Sequence, residues 1–137
     1  MAVVKELIRT EENGNISFGN YELAQKSKVS DFQHQGDVYK VKTFNEITKL
    51  ERNGMFVYES VPGTAVNDFC VKNSELTFAA SGSQDAQITI QLEDDMEYEV
   101  FTDGNPVGEM KTNMSGKLSL SVELAEGKDV KVKVVRK

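Results

Sequence analysis

The chain has 137 residues, of which 39% are hydrophobic and 28% are charged, and its formal net charge is −6. These values are typical of globular proteins and exclude a disordered, a collagenous or a disulfide-built chain. The negative charge repels phosphate backbones and anionic lipid surfaces, so we expect neither a nucleic-acid partner nor a membrane partner.

The N-terminus and the cysteine count indicate a reducing compartment. Charged residues interrupt the apolar residues of segment 1–9, which therefore has neither the apolar region of a signal peptide nor a membrane span. Cys70 is the only cysteine, so no internal disulfide can form, and we interpret it as a small apolar core residue on a strand. We predict a cytoplasmic protein.

The first half of the chain contains a repeat. Tyr21-Glu22 followed by Val29, Asp31 and Phe32 recurs as Tyr58-Glu59 followed by Val66, Asp68 and Phe69, with one constant offset of 37 residues. The repeat predicts a duplicated β unit that packs with pseudo-symmetry. Before it, the apolar residues of segment 3–8 fit a helix or a strand equally well.

One segment between the two copies has helical spacing. Phe44, Ile47 and Leu50 recur every three residues, and Thr43 with Glu46 has the spacing of a capping box. We predict a short helix at about 44–52.

The remaining pattern is alternation of apolar and polar residues between glycine-bearing and asparagine-bearing turns. The alternating segments are 86–92, 98–102, 118–124 and 130–134, and two further strands are expected at 38–41 and 76–78. Such alternation is typical of antiparallel sheets with one buried face. From Thr64 to the end we count roughly seven strands, as in a β-sandwich.

The fold class predicted is therefore mainly β. Residues 63–137 form an antiparallel β-sandwich of immunoglobulin or fibronectin type, and residues 1–62 form a smaller β-rich unit that carries the helix. The two units, joined near Pro62-Gly63, are either separate domains or one continuous compact domain.

Reactive residue types are sparse. His34 is the only histidine, and we interpret it as an exposed residue at a strand end. The acidic segment 93–97 lacks the ligand order of a calcium loop, and the glycines do not form a phosphate-binding loop. We predict no catalytic residue, no metal site and no cofactor. The C-terminal lysines either protect an edge strand from aggregation or hold an acidic partner.

Four residues remain as candidate contacts for a ligand or partner. Tyr21 and Tyr58 lie near turns and outside the clearest alternating segments, and tyrosine rings can stack on sugars. Asp103 and Asn105 place a carboxylate and an amide together in one turn.

Two resemblances add to this picture. Segment 98–122, with Asp103-Gly104 and Ser115-Gly116 as its turns, is similar to the immunoglobulin-like or fibronectin-like modules of bacterial polysaccharide-processing enzymes. The whole chain, and most distinctively segment 49–64, resembles short proteins of gut clostridia that carry the label "endosialidase". Known endosialidases use a large β-propeller and an arginine cluster, whereas this chain has three arginines, so the resemblance implies no catalytic residue here.

These observations predict a non-enzymatic interaction or assembly module with a protein partner. The alternative is a carbohydrate-binding module related to polysaccharide-processing proteins. Unpaired edge strands would also allow a homodimer.

Overall fold

The computed structural model describes residues 3–137, and this part of the chain contains thirteen strands and no helix. The strands are β1 (Ile8–Thr10), β2 (Ile16–Phe18), β3 (Ser27–His34), β4 (Asp37–Thr43), β5 (Thr48–Arg52), β6 (Met55–Val61), β7 (Ala65–Lys72), β8 (Glu75–Ser81), β9 (Ala86–Gln91), β10 (Glu97–Thr102), β11 (Asn105–Lys111), β12 (Lys117–Val122) and β13 (Asp129–Arg136). Each of the six strands predicted from alternation is present, and seven strands follow Thr64, as expected.

The strands form two antiparallel sheets. A seven-stranded sheet has the order β1-β2-β7-β8-β13-β10-β11, and a six-stranded sheet has the order β12-β9-β6-β5-β4-β3. The predicted boundary at residues 62 and 63 does not separate these sheets, because β2 pairs with β7 and β6 pairs with β9.

Side chains from both sheets meet in one hydrophobic core. The ring of Tyr58 on β6 lies edge-on to Phe18 on β2 and to Phe78 on β8, with centroid distances of 5.3 and 5.7 Å. Edge-to-face geometry suits the ring quadrupoles, and full burial of each large side chain contributes about 1.5–3 kcal/mol. The inward faces of the two sheets therefore pack on each other.

The helix predicted at 44–52 is wrong. Residues 44–47 instead make the connection between β4 and β5, and the amide of Phe44 donates to the carbonyl of Ile47. Thr48 and Leu50 are both buried on β5, which is the two-residue period of a strand. Thr43 does not cap a helix, because its hydroxyl lies inside the core and bonds to Thr48. Pairing of β5 with β4 and β6 overrides the helical spacing.

Four hairpins close with two-residue turns whose residues both have positive φ. Their central residues are Gln35-Gly36, Asn53-Gly54, Asn73-Ser74 and Asp103-Gly104. Turns of this kind match the right-handed twist of paired strands, which explains the glycine and asparagine residues seen in the sequence.

The two copies of the repeat form corresponding hairpins, β3-β4 and β7-β8. Each first strand has an irregular register that includes an aspartate with positive φ, 61° at Asp31 and 57° at Asp68. The tyrosines at the start of the two copies have different structural positions, since Tyr21 lies in a loop after β2 and Tyr58 lies in β6.

Gly63 lies where the chain crosses from the six-stranded to the seven-stranded sheet. A Cβ atom at this position would collide with the carbonyl oxygen of Phe44, so the close approach of the two segments requires glycine.

Among residues 3–137 there is no helix with the length and apolar character needed to cross a membrane.

Candidate functional site

The structure separates the four predicted contact residues. Asp103 and Asn105 share the β10-β11 turn, Tyr58 lies in the core, and Tyr21 lines a surface cleft to which the other three do not contribute. The four residues therefore do not form one site.

The carboxylate of Asp103 supports its own hairpin. Its Oδ1 accepts a hydrogen bond of 2.9 Å from the amide of Lys131, while its amide donates to the carbonyl of Lys131 at 2.8 Å. These two bonds fix the turn to β13. Asn105, next to the turn, is exposed.

Tyr58 is fully buried, so its ring offers no face to a ligand in solution. Its hydroxyl lies 2.8 Å from Oγ1 of Thr64, which is also 2.8 Å from Oγ of Ser60. Burial raises the pKa of Tyr58 strongly, and the hydrogen bonds to Thr64 and Ser60 oppose this only in part. The phenol therefore stays neutral.

A buried hydroxyl network continues from Thr64 to β4 and β5. Oγ1 of Thr48 donates to the carbonyl of Thr64 at 2.7 Å and accepts from the amide of Thr64 at 3.0 Å. Because that bond uses the only proton on Thr48, the hydroxyl of Thr43 is the donor in its 2.8 Å contact with Thr48. Oγ1 of Thr43 accepts in turn from the amide of Asn20 at 2.9 Å. Every hydroxyl here has a structural partner.

A cleft with a volume of about 630 Å³ lies beside Tyr21. We call it the Tyr21 cleft. Four parts of the chain form it: the segment before β1, the loop after β2, the end of β8 and the turn between β12 and β13. Its lining residues are Val3, Lys5, Tyr21, Glu22, Ser81, Ala125, Glu126, Gly127, Lys128 and Asp129. Clefts of this volume are typical of small-molecule sites.

Local hydrogen bonds position the polar groups of the cleft. The amide of Glu22 donates to Oδ1 of Asn20 at 3.0 Å, which shapes the loop that carries Tyr21. Oγ of Ser81 donates to Oδ1 of Asp129 at 2.8 Å. Backbone bonding between Ala125 and Lys128 closes the opposite turn, with a distance of 3.1 Å.

The half-buried ring of Tyr21 lies among acidic groups. Burial raises the pKa of its phenol, and the carboxylates of Glu126, Glu22 and Asp129 raise it further. At neutral pH the phenol therefore keeps its proton and can donate a hydrogen bond, while the three carboxylates can accept. Lys5 and Lys128 supply the cationic donors. This combination suits a ligand rich in hydroxyl groups or a polar segment of a protein.

Sequence reasoning identified Tyr21 but missed the other polar residues of the cleft. Glu126 was visible only as a turn residue, and Lys128 as a turn residue and one of the C-terminal lysines. Neither Lys5 nor Ser81 carries a pattern that links it to Tyr21. These residues are distant along the chain, and strand order alone brings them together.

A second cleft, of about 300 Å³, lies between the two sheets near the β3-β4 and β7-β8 turns. His34 is half-buried at the end of β3, and its Nδ1 lies 3.0 Å from Oγ1 of Thr10. Cys70 lines the same cleft and is half-buried on β7, so it lies on a strand as predicted but outside the core. Across residues 3–137, no group of three or more histidine, cysteine, aspartate or glutamate side chains is arranged to hold a metal ion.

Comparisons with protein-family models, with curated proteins and with solved structures found no match to this chain. The chemistry of its own residues is therefore the basis for a functional proposal.

Proposed function

We propose that this protein is a non-enzymatic interaction module and that its partner or ligand binds in the Tyr21 cleft. The observation that carries the proposal is the cleft itself, which combines about 630 Å³ of open volume with an aromatic ring and both signs of charge. Binding sites characteristically combine concave shape with a few convergent polar groups.

The bonding in the cleft supports binding over catalysis. The one hydroxyl nucleophile paired there, Ser81, donates its proton to the carboxylate of Asp129. A carboxylate is a much weaker base than the histidine that usually takes the proton of a nucleophilic serine, so we interpret this bond as one that orients Ser81 and Asp129. The Tyr21 phenol, with its raised pKa, is a hydrogen-bond donor at neutral pH.

Affinity capture from native cells with mass spectrometry tests the proposal. We expect the wild-type protein to retain a specific partner that Tyr21→Ala loses. Phe101→Ala is the matched control, because it removes another half-buried ring far along the chain on β10. Equal capture by Tyr21→Ala and the wild type would contradict binding at the cleft. Turnover of a sialoside or another glycoside, abolished by Glu22→Gln or Glu126→Gln, would refute the non-enzymatic role.

Carbohydrate binding is the second candidate function. Tyr21 beside carboxylate acceptors favours it, because sugars offer an apolar face for stacking and hydroxyl groups for hydrogen bonds. A glycan array followed by calorimetry tests this candidate, and we expect Tyr21→Phe to retain stacking but to weaken binding through the lost phenol donor. If no glycan binds, carbohydrate binding is contradicted and a protein partner is the favoured ligand of the cleft.

The proposal includes four features predicted from the sequence. Two facing antiparallel sheets support a β-sandwich of immunoglobulin or fibronectin type, and an experimental structure would check that relationship. We further propose that the protein is cytoplasmic and has neither a nucleic-acid partner nor a membrane partner. We also propose that it is related to the endosialidase-labelled proteins but lacks the activity that the label names. The exposed edges of β3 and β11 are compatible with a homodimer, which light scattering would detect.

A further inference from the structure

We propose that the outer face of β3, β4 and β5 docks a short acidic segment of a partner protein on a row of lysines. The row consists of Lys28, Lys42 and Lys49, which are direct cross-strand neighbours on three adjacent strands. Lys40 lies two residues from Lys42 on the same face of β4. This surface lies outside the Tyr21 cleft, so the inference does not depend on the function proposed above.

The lysine row is compact. Neighbouring strands are about 4.8 Å apart, so the three lysines extend over roughly 10 Å. The four lysines and Glu51 line one depression of about 60 Å³. Lys49 forms an ion pair with Glu51, with an Nζ–Oε2 distance of 3.6 Å.

The cross-strand pairs Lys28–Lys42 and Lys42–Lys49 oppose the stability of the sheet. Lys40 and Lys49 also lie opposite carboxylates, those of Glu51 and Glu59. Like charges directly opposite each other on neighbouring strands are destabilising. The core needs no lysine here, because the inward residues Tyr39, Val41 and Leu50 supply the buried contacts of β4 and β5. A local arrangement that lowers stability without a packing benefit is typical of a functional site.

Charge and size determine the occupant. Four ammonium groups, the carboxylate of Glu51 and that of Glu59, which lies opposite Lys49 on β6, give this face a local charge of about +2, whereas the whole chain carries −6. A long nucleic acid or a membrane would also meet the acidic remainder of the surface and be repelled. The volume of 60 Å³ is about that of two water molecules in the liquid, which accommodates a carboxylate group. A segment with two or three acidic side chains therefore fits best.

Fluorescence anisotropy with a labelled hexaglutamate peptide tests the inference. We expect saturable binding at low salt that weakens as salt increases, and a Kd about tenfold higher for the double variant Lys42→Gln/Lys49→Gln. The matched control is Lys72→Gln/Lys131→Gln, which removes two exposed lysines from the seven-stranded sheet and gives the same change of net charge. Its Kd should stay within about twofold of the wild type.

Thermal unfolding checks that both variants are folded. The Lys42→Gln/Lys49→Gln protein should have an equal or higher Tm because its cross-strand repulsion is relieved. Lys28→Gln, on the edge strand, provides an independent single change that should also weaken peptide binding. Three outcomes would overturn the inference: no binding of hexaglutamate, equal weakening in the two double variants, or tighter binding of inorganic phosphate, single-stranded oligothymidine or phosphatidylserine vesicles than of hexaglutamate.

Discussion

The hairpins β3-β4 and β7-β8 derive from similar sequence but differ in their surroundings. β3 is the last strand of the six-stranded sheet, whereas β7 and β8 are interior strands of the seven-stranded sheet. Val29 and Phe32 pack partly against the core, while their counterparts Val66 and Phe69 are buried. The position of a hairpin within its sheet thus decides how much of the same apolar pattern is buried.

The outward faces of the two hairpins differ in the same way. Lys42 on the edge hairpin corresponds, at the 37-residue offset, to Ala79 on the interior hairpin. The edge hairpin carries Lys28 and Lys42 of the lysine row, and the interior hairpin carries the larger share of the aromatic core. We infer that the interior copy mainly stabilises the fold and that the edge copy is available for binding.

The largest expected difference between the two copies concerns their phenylalanines. Phe69 contacts the rings of Phe18 and Phe78 at 5.7 and 5.8 Å, so Phe69→Ala should lower the free energy of unfolding by about 4 kcal/mol. Phe32→Ala should cost about half as much, because the ring of Phe32 is only partly buried. Urea denaturation measures both values, and equal losses would contradict the unequal roles of the hairpins.

The end of the edge hairpin contributes to stability through the buried hydroxyl network, which includes Thr43. Thr43→Val leaves the amide of Asn20 without its acceptor, so we expect a loss of about 2 kcal/mol. Ser121→Ala serves as the control, since the Ser121 hydroxyl bonds to Gln87 at the exposed surface and its loss should cost less than about 0.5 kcal/mol. A Thr43→Val protein as stable as the wild type would show that the network is unimportant for folding.

The irregular registers of β3 and β7 form bulges around Asp31 and Asp68, and replacing either aspartate should lower the stability by a similar amount. Ala at Asp31 or Asp68 must adopt the same positive φ, which aspartate tolerates better than alanine, so each change should cost about 1 kcal/mol. Asp68→Ala should cost slightly more, because Oδ1 of Asp68 also accepts a hydrogen bond from Asn13. If Asp31→Ala were neutral and Asp68→Ala costly, tertiary packing and not local backbone preference would account for the bulge.

The smallest expected effect is a pH dependence near Asp68, on the interior hairpin. The amide of Asp68 donates to Oγ of Ser17, and Ser17 donates to Glu11. This bond from Ser17, with the ion pair to Arg9, lowers the pKa of Glu11 from its usual 4.5. Because the folded pKa is below the unfolded pKa, Glu11 stabilises the fold above about pH 4.5, and the benefit disappears as pH falls through the folded pKa.

Denaturation curves between neutral and acidic pH should therefore show a loss of stability that is smaller in Glu11→Gln. The opposite result, an unchanged acid response in Glu11→Gln, would assign the pH dependence to other carboxylates.

Several elements were predictable because their signals are local. The period of two in Ala86–Gln91 and Lys117–Val122 reflects one buried and one exposed face of each strand. Turn residues such as Asp103-Gly104 marked hairpins because few residues adopt positive φ readily. Segment 44–52 was predicted wrongly, since its helical spacing is weaker than the hydrogen bonding that β4 and β6 offer to β5.

The sequence by itself determined the mainly β class, the positions of six strands and of hairpin turns such as Asp103-Gly104, and the duplicated hairpin pattern. Only the tertiary structure decided that Tyr58 is buried and Tyr21 is half-exposed, because burial depends on which strands pack over a residue. It also decided which distant residues share the Tyr21 cleft and which lysines become cross-strand neighbours. Strand order and register create these sites, and both arise from long-range pairing that no local pattern encodes.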